Sequence, residues 1–376
     1  AAAPEKNGVP PVPELPRPIF ASNRTGMSNI GSRALCPWGT GGDWKTFQKL
    51  PGSYRSSEAR GRGKKWNSLD FLLDHARRER QDGVGPSTNP YLQEFASSTW
   101  VNKLRHPAFK NMVNNKKLKK EVREAYAAIR QIRRFIRHKR ARSKPLKDKG
   151  EVACTAKSID AQNLLIFDLC SGKGFTASIM THVFPNAKIL MIDKDCKMKL
   201  THLSILPKVK FKYADVHSDC LAQWIARSAL NEKKNSAAND TKAENYPCPE
   251  WNKLVVVLLG IHLCGTLSTT AVRLFNEIVE IDCMVLCPCC MPRKNRDDCD
   301  VRARARALGK EPYEVWCWSV YNHIDHRTNL VDLSRDPFVA SHKKSGAAHA
   351  KNIFIRATRR SQQNVETGKP VAKIKI

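Results

Sequence analysis

The sequence predicts an α/β fold in which a mostly parallel sheet carries helices on both faces, preceded by a basic helical N-terminal extension. Three observations lead to this prediction. Residues 164–169 form an apolar run of strand length without polar alternation, as in a strand buried on both faces. The turn that follows contains Gly172 and Gly174, and helix-forming residues come next. Similar apolar runs then recur between helical segments, which favours parallel strands joined by helices.

Each predicted strand is a short apolar run bounded by polar or turn-forming residues. The strands are predicted at residues 164–169, 188–192, 209–213, 253–259, 283–287 and 352–357. Residues 231–250 are polar and contain two prolines, so we predict a surface insertion before the fourth strand. The chain therefore divides into an irregular basic tail, a basic helical extension, an α/β domain and a basic C-terminal tail, at residues 1–66, 67–150, 155–360 and 361–376.

The charge of the chain predicts a polyanionic partner. The 376 residues carry a formal net charge of +30, with 65 Lys and Arg. Residues 1–150 hold 32 Lys and Arg against 12 Asp and Glu, so most of the surplus lies there. A surplus of this size attracts RNA, with no evident preference for DNA.

The most basic segment is a predicted amphipathic helix at residues 115–142. Its apolar residues recur at three- and four-residue steps and define one buried face. Acids are nearly absent after Glu124, which leaves repulsion between the basic side chains unrelieved and indicates binding to RNA phosphate. The alternative is an ordinary solvated face. The basic residues proposed to bind RNA are Lys117, Lys120, Arg130, Arg133, Arg134, Arg137, Lys139 and Arg140.

Cysteine usage and hydropathy predict a reducing compartment and no membrane span. The 13 cysteines fall in predicted helices and strands rather than in a small loop-rich scaffold, which favours reduced thiols. No window approaches 18 uncharged apolar residues. The expected location is a mitochondrial or other organellar matrix, or the cytoplasm or nucleus. Because the sequence starts without Met, we expect that an organellar presequence has already been removed from it.

The turn after the first strand predicts a nucleotide-type cofactor site. Asp193 closes the second strand 19 residues after Gly174, where a carboxylate can accept hydrogen bonds from ribose hydroxyls; the alternative is an ordinary strand-end acid. Asp168, Cys170, Gly172 and Gly174 follow one another at two-residue intervals, and no glycine follows three residues later. This pattern lacks the pyrophosphate cradle of a dinucleotide site and suits an amino-acid and adenosine ligand, whose ammonium group Asp168 would face.

Four motifs in order resemble a known family. They are residues 168–175 (DLCSGKGF), 260–265 (GIHLCG), 287–290 (CPCC) and 351–355 (KNIFI). Together they resemble the class I S-adenosylmethionine-dependent methyltransferase domain over residues 155–360. The group includes the methyltransferase domain of glutathione S-transferase C-terminal domain-containing proteins, and the tRNA acceptor-stem ribose methyltransferase is similar. The resemblance implies a Rossmann-like fold, S-adenosylmethionine as cofactor, and a contact between Asp215 and the adenine amino group. The alternative for Asp215 is a helix cap or a turn acid. The sequence departs from the family pattern at Cys170, which replaces the first glycine of the three-glycine turn.

The loop after the fourth strand is the predicted acceptor site, so His262 counts among both cofactor-binding and catalytic candidates. His262 has the chemistry of a general base, and Cys264 would be a nucleophile only with a stabilised thiolate; a structural histidine is the alternative. The cysteines of residues 287–290 lack a second ligand pair, so no metal site is predicted. Arg293 and Lys294 would hold a phosphate, and a covalent cysteine mechanism stays open.

The sequence thus favours an S-adenosylmethionine-dependent methyltransferase acting on rRNA or tRNA. Because no Asn-Pro-Pro-Tyr or Asp-Pro-Pro-Tyr sequence follows the fourth strand, exocyclic amino groups are disfavoured as acceptors, whereas ribose, ring-carbon and protein acceptors remain. The alternative is a catalytically silent methyltransferase-fold subunit of a ribonucleoprotein, such as an organellar ribosome.

Overall fold

The computed structural model describes residues 68–81, 89–114, 117–143, 159–240, 253–288, 290–291, 301–339 and 352–360. The predictions for residues 1–66 and 361–376 lie outside these ranges. None of the helices in the described ranges is long and apolar enough to cross a membrane.

Helices and strands alternate after an all-helical start. The helices are α1 (Ser68–Gln81), α2 (Pro90–Ser97), α3 (Lys110–Val113), α4 (Leu118–Ser143), α5 (Phe175–Val183), α6 (Asp219–Asp240), α7 (Leu267–Glu277), α8 (Val301–Ala307) and α9 (Pro312–Asn322). The strands are β1 (Leu164–Leu169), β2 (Lys188–Asp193), β3 (Val209–Tyr213), β4 (Val255–Gly260), β5 (Cys283–Leu286), β6 (Asn329–Arg335) and β7 (Ile353–Arg359). Short 3-10 turns lie at Thr99–Arg105, Pro107–Phe109 and Thr201–Ile205.

All seven strands form one sheet in the order β3-β2-β1-β4-β5-β7-β6. The first five strands are mutually parallel, and β7 runs antiparallel to both β5 and β6. The predicted mostly parallel sheet is therefore confirmed. Because β1 is followed on one side by β2 and on the other by β4, the strand order reverses at β1, which opens a crevice at the carboxyl ends of these strands.

The sheet is buried on both faces, as the uninterrupted apolar strands predict. In β1, Leu164 and Ile166 point into one core, and Leu165 and Phe167 point into the other. The first core is covered by α1 to α5, and the second by α6 to α9. Helices on both faces of the sheet are thus confirmed.

The helices before residue 150 pack directly against the sheet. Val122, Ile129 and Ile136 of α4 share a core with Ile166 of β1 and Val285 of β5. The apolar stripe of this helix is wide and needs a partner, and the face of the sheet supplies one. Helices α1 to α4 therefore form one layer that packs against the sheet.

Two further elements differ from the prediction. Strand β6 is absent from the predicted set because its residues are only partly buried at the sheet edge, where charged residues such as Asp332 and Arg335 interrupt the apolar pattern. Residues 231–240 continue α6 instead of starting a loop, since their Ala, Glu and Lys residues are good helix formers. The rest of the predicted insertion, residues 241–250, lies outside the described residues.

Candidate active site

The candidate site lies where β1, β2, β3, β4 and β5 end at one edge of the sheet. Asp168 near the end of β1 is in register with Met191 of β2 and with Leu259 of β4. The loops that follow these strands therefore start side by side. Because β1 lies at the point of strand-order reversal, these loops surround the crevice in which open α/β sheets bind ligands.

The turn after β1 is held open by three residues with positive φ: Cys170 at 52°, Gly172 at 53° and Gly174 at 73°. A Cβ on Gly174 would overlap the side chain of Met191. A Cβ on Gly172 would meet no atom within 4 Å, so this glycine borders open space. The left-handed backbone explains why glycine suits these positions and why Cys170 is unusual. The turn therefore leaves room for a ligand beside Gly172.

Asp193 ties the glycine turn to the second strand. Its Oδ2 accepts a hydrogen bond from the Gly172 N–H at 2.9 Å, and its Oδ1 accepts one from the Asp195 N–H at 3.0 Å. The side chain is half-buried. A carboxylate has about four acceptor positions, so these two bonds leave capacity for ribose hydroxyls. Asp193 is therefore a strand-end turn acid in this structure, and the same geometry still allows it to accept hydrogen bonds from a ribose.

Asp168 is a buried carboxyl group, one oxygen of which lacks a hydrogen-bond partner among the described residues. Its side chain is only 3% exposed, and its Oδ2 has no hydrogen-bond partner among the described residues. Burial, followed by the negative charge of Asp193, raises the pKa of Asp168 from 3.8 to about 7. A cation placed against this oxygen would relieve the cost of burying the charge. The residues present therefore fit a ligand with a cationic group at this position.

Asp215 lies just beyond the end of β3, beside Asp193. The Ala214 N–H donates to the Asp193 carbonyl oxygen at 3.0 Å, which joins the two strand ends. The Asp215 side chain is exposed, and its Oδ1 accepts the His217 N–H at 2.9 Å in a local turn. Asp215 therefore acts as a turn acid in the structure, and its contact with adenine stays a prediction.

The loops after β4 and β5 are paired through their backbones. Cys264 forms a parallel bridge with Cys290, and the Gly265 N–H donates to the Cys290 carbonyl oxygen at 2.9 Å. The Cys287 N–H donates to the Gly260 carbonyl oxygen at 2.8 Å. The described residues of the two motifs predicted at the acceptor site, 260–265 and 287–290, are therefore held side by side on one wall, as the term is used below.

His262 on this wall reaches toward helix α4. Its side chain is 42% exposed, and its Nε2 lies 3.6 Å from Oε2 of Glu124. Glu124 also accepts from the Lys120 ammonium group, at 2.8 Å through Oε1 and 3.0 Å through Oε2. The sequence prediction missed Glu124, because 138 positions separate it from His262. In the sequence, Glu124 lies beside the apolar residues of a predicted helix, which indicates that it is buried but does not identify the residue that it contacts.

Two thiols near the site, those of Cys287 and Cys170, are poorly suited to ionisation because their pKa values are raised. Cys287 is almost fully buried, and burial, followed by the charge of Glu124, raises its pKa well above the usual range. Burial, followed by the charges of Asp193 and Asp168, raises the pKa of Cys170 to about 12. A covalent mechanism through Cys287 is therefore disfavoured, because the thiolate is the reactive form. Among the described residues, no group of three or more metal-ligating side chains occurs.

The basic face of α4 differs most from its prediction. Arg133 donates to Asp160 through Nε at 2.8 Å and Nη2 at 2.7 Å, and to Glu94 through Nη1 at 2.7 Å. Arg140 is buried and donates to the Gln162 side chain at 3.2 Å. The repulsion expected along the helix is relieved by acids from other elements. Arg133 and Arg140 thus hold the fold and are poorly placed to bind RNA.

The other basic candidates on α4 differ in their partners and in their exposure. Arg130 donates to the Tyr91 hydroxyl at 3.2 Å and lies 3.9 Å from Asp336. Arg134 lies 3.7 Å from Asp332, and Lys120 is paired with Glu124 as described above. The side chains of Lys117, Arg130 and Arg137 are exposed, and those of Lys139 and Arg134 are half-buried. Arg293 and Lys294 lie outside the described residues.

Comparisons with known proteins relate part of the chain to a described domain family. Residues 117–293 match the model of a family described as a methyltransferase domain. Among solved structures, the Methanococcus jannaschii fibrillarin pre-rRNA processing protein is 10% identical and has a TM-score of 0.31, with 53% of this chain and 68% of that chain covered. The plantazolicin methyltransferase BpumL, solved with SAH, is 9% identical, has a TM-score of 0.32, and covers 77% of this chain and 100% of its own.

Human N-acetylserotonin methyltransferase, solved with SAM, is a third such structure. It is 12% identical with a TM-score of 0.29, and 78% of this chain and 67% of that chain are covered. Among curated proteins, none matches the chain at a significant level. The structural similarities are too low to bear on the substrate. Over residues 117–293 the chain is therefore similar to a methyltransferase domain, and the strand order and the open glycine turn are compatible with that similarity. The match begins at residue 117 and so includes α4, in keeping with its place in the core.

Proposed function

We propose that the chain binds S-adenosylmethionine at the carboxyl end of β1 and transfers its methyl group to RNA. The observation that carries the cofactor part is the open space beside Gly172, with Asp168 and Asp193 at its border. The buried Oδ2 of Asp168 would face the ammonium group of the methionine portion. Asp193 would accept from the ribose hydroxyls while it holds the turn. The cofactor supplies a methyl group on a sulfonium, and the chain positions it.

A comparison of two glycines tests this site. Gly172 and Gly309 both have positive φ, at 53° and 60°, and a Cβ on either would meet nothing within 4 Å. Valine at either position carries similar backbone strain, of order 1–3 kcal/mol. Only Gly172 borders the proposed cofactor, because Gly309 lies in the turn between α8 and α9. Isothermal titration with S-adenosylhomocysteine should give an affinity at least about tenfold weaker for Gly172→Val and unchanged for Gly309→Val. Equal affinities in the two variants would refute the site.

The RNA part of the proposal is supported by the charge of the chain and by lysines near the crevice. Lys194, Lys197 and Lys199 follow β2 directly, have exposed side chains and are called the lysine rim here. They lie at the edge of the sheet where the cofactor is proposed to bind. The basic face of α4 contributes less than its sequence indicated, since several of its arginines are paired within the fold. RNA phosphates approaching the crevice would contact the rim first.

The salt dependence of RNA binding tests the rim against a matched control. Lys188, Lys208 and Lys253 are also exposed but lie at the amino ends of β2, β3 and β4, at the opposite edge of the sheet. Alanine at the three rim positions should reduce the slope of log affinity against log salt by up to about 2 units. The triple variant at the opposite edge should reduce it much less. The probe is total tRNA or fragmented rRNA in an anisotropy titration. Equal slopes in the two triple variants would contradict the proposal.

Transfer itself is measured with tritium-labelled S-adenosylmethionine. Label incorporated into RNA and released by ribonuclease supports an RNA acceptor. Label that is released only by protease would refute it and indicate a protein acceptor. The silent-scaffold alternative gains no support from the site, because the glycine turn borders open space and Asp168 is available at the strand end.

A further inference from the structure

A group of basic side chains lies between α4 and the last two strands of the chain, β6 and β7. The Gln131 side chain donates to the Ser334 hydroxyl at 3.3 Å, which places this part of α4 over β6. One turn further along the helix, Nη2 of Arg134 lies at an ion-pair distance of 3.7 Å from Oδ2 of Asp332. Asp332 is in register with Arg356 of β7, whose Nη2 donates to the same Oδ2 at 3.1 Å. Two arginines therefore lie against one carboxylate oxygen.

Arg356 is a buried cation with an unsatisfied nitrogen. Its side chain is 7% exposed, and its Nη1 has no hydrogen-bond partner among the described residues. Because it follows Phe354 by two residues on β7, it lies on the face of the sheet that α4 covers. Burial lowers the pKa of Arg356, and the charge of Asp332 offsets this shift only in part. A guanidinium has five N–H donors, so a carboxylate that it shares with Arg134 leaves it undercompensated.

Three side chains of α4 lie along one side of the helix above this group. Arg134, His138 and Arg142 follow one another at four-residue steps. Arg134 is half-buried, whereas His138 and Arg142 are exposed. Partial burial, followed by the positive charges of Arg356 and of the two arginines in this row, lowers the pKa of His138. The row and the buried arginine thus contribute to one region of positive potential.

Other charged groups nearby do not cancel this potential. Lys139 and Arg356 are close enough to the buried Cys283 thiol to favour its thiolate, but burial has the larger effect and raises its pKa. Asp282, next to Cys283, lies 3.3 Å from Lys233 of α6, which covers the other face of the sheet. Among the described residues, Asp332 is therefore the acid that the ion pairs place against these arginines.

We propose that this group is a binding site for a phosphate group. It is called the α4 phosphate site here and consists of Arg134, His138, Arg142 and Arg356. Guanidinium groups recognise phosphate oxygens through charge-assisted hydrogen bonds. A phosphate oxygen placed against Nη1 of Arg356 would satisfy the buried donor, and its charge would offset the surplus of three arginines over Asp332. The exposed His138 and Arg142 would hold the outer oxygens.

The α4 phosphate site is separate from the cofactor crevice. Near the end of α4, Arg140 donates to Gln162, which lies just before β1, so this end of the helix is at the amino edge of the strands. The wall of the candidate site approaches α4 at Glu124 instead. Glu124 and His138 are 14 positions apart, which corresponds to roughly 20 Å along a helix. A ligand would have to be long to occupy the crevice and this site together.

RNA is such a ligand, because its backbone carries phosphates at regular intervals. An RNA with its acceptor in the crevice would place another phosphate of its backbone in the α4 phosphate site. This source of the phosphate rests on the proposed function. Free inorganic phosphate has the same chemistry and does not depend on the proposed function, so the experiments distinguish the two sources.

A titration with inorganic phosphate tests the site without RNA or cofactor. The histidine side-chain signals are followed by NMR as a function of pH, in chloride and in phosphate at the same ionic strength. His138 is assigned from the signals that are lost in His138→Gln. Because a bound phosphate favours the imidazolium form, phosphate should raise the midpoint of the His138 titration by at least about 0.5 unit. A midpoint that phosphate does not change would overturn the proposal.

Two double variants remove the same charge from opposite faces of the sheet. Arg134→Gln with Arg142→Gln changes the α4 phosphate site. Arg227→Gln with Arg306→Gln changes exposed arginines of α6 and α8, which cover the other face. The effect of phosphate on His138 should fall by at least about half in the first double variant and stay unchanged in the second. Equal effects in the two double variants would overturn the proposal.

The buried arginine is tested by a third variant. Arg356→Met keeps most of the length of the side chain and removes its charge, so the effect of phosphate on His138 should again fall by at least about half. Circular dichroism shows whether this variant folds. If it does not fold, the double variant on α4 decides. A phosphate effect of wild-type size in folded Arg356→Met would remove Arg356 from the site and overturn the proposal.

The salt dependence of RNA binding identifies the source of the phosphate. In an anisotropy titration with total tRNA or fragmented rRNA, the double variant on α4 should reduce the slope of log affinity against log salt by about 1 unit. The double variant on the other face should reduce it by less than half as much. Equal slopes together with the expected NMR shift would support a site for free phosphate. If the wild-type protein binds no RNA, the RNA part of the proposed function fails, and the phosphate titration still decides whether the site exists.

Discussion

Replacement of Asp168 by asparagine should make the protein without cofactor more stable and its cofactor site weaker. Burial raises the pKa of Asp168 from 3.8 to about 7, so the folded protein holds a proton there that the unfolded chain has released. Stability therefore falls as the pH rises from about 4 to 7, and it stays reduced at higher pH. A shift of this size corresponds to a penalty of at most about 4 kcal/mol at pH 8. Asparagine has the same shape and no charge, so the variant escapes this penalty.

Differential scanning calorimetry without cofactor at pH 5 and pH 8 measures the effect. Relative to the wild type, Asp168→Asn should gain about 2 to 3 kcal/mol in free energy of unfolding between these two pH values, because the wild type loses it. The control is Asp215→Asn, which removes an exposed carboxylate at the end of β3 and should show little dependence on pH. A gain that is the same at pH 5 and pH 8 would show that Asp168 is well solvated, and the reasoning from its burial would be wrong.

The same substitution should oppose cofactor binding. If the carboxylate of Asp168 faces a cationic group, asparagine removes a charge-assisted interaction, and the affinity for S-adenosylhomocysteine at pH 8 should fall at least about tenfold. In the wild type, affinity should also fall as the pH drops below 7, because protonation removes the same charge. The variant is thus expected to be more stable than the wild type without cofactor and to bind the cofactor more weakly. This combination is typical of a functional residue that lowers the stability of the folded protein. An unchanged affinity of Asp168→Asn for S-adenosylhomocysteine would show that Asp168 does not contact the cofactor.

Two further predictions concern residues outside the cofactor turn. Arg133→Ala should lower the free energy of unfolding by about 2 to 4 kcal/mol, since it leaves the half-buried Asp160 and Glu94 without their partner, whereas RNA affinity should change little. Chemical denaturation and anisotropy measure the two effects, and a large loss of RNA affinity without destabilisation would restore Arg133 as an RNA contact. In the native protein, Cys287 should resist thiol-specific reagents at pH 8 that modify the exposed Cys196, because burial keeps its pKa high. Peptide mapping identifies the modified cysteines, and rapid modification of Cys287 would contradict its burial.

Much of the fold was predictable because its signals are local. Strand β1 appears in the structure with the bounds that its apolar run indicates, 164–169, and the two glycines of the next turn have the positive φ that their residue type allows. The edge strand β6 was not predictable, because a half-buried strand with charged residues has no distinct pattern. The place of α4 was also missed. Its amphipathic pattern shows that one face is buried, but not that the sheet is what buries it.

The site was predictable to the extent that strand ends define it. Asp168, Gly172, Gly174 and Asp193 were identified from their spacing, since parallel strands bring successive strand ends to one edge of the sheet. Glu124 was not identified, because its contact with His262 depends on how α4 crosses the sheet. The basic residues of α4 were assigned to RNA for the same reason: the acids that pair with Arg133 come from residues 94 and 160.

The sequence by itself determined most of the elements, their alternation and the left-handed backbone of the glycine turn, because these depend on residues that are neighbours along the chain. The tertiary structure alone decided which charges are paired and which carboxylates are buried. Arg133 became a structural ion pair, Asp168 a carboxyl group with a raised pKa, and Glu124 a partner of His262. The physical reason is that electrostatic energies depend on distance and solvent exposure in three dimensions, and neither quantity is encoded in the order of residues within a short segment.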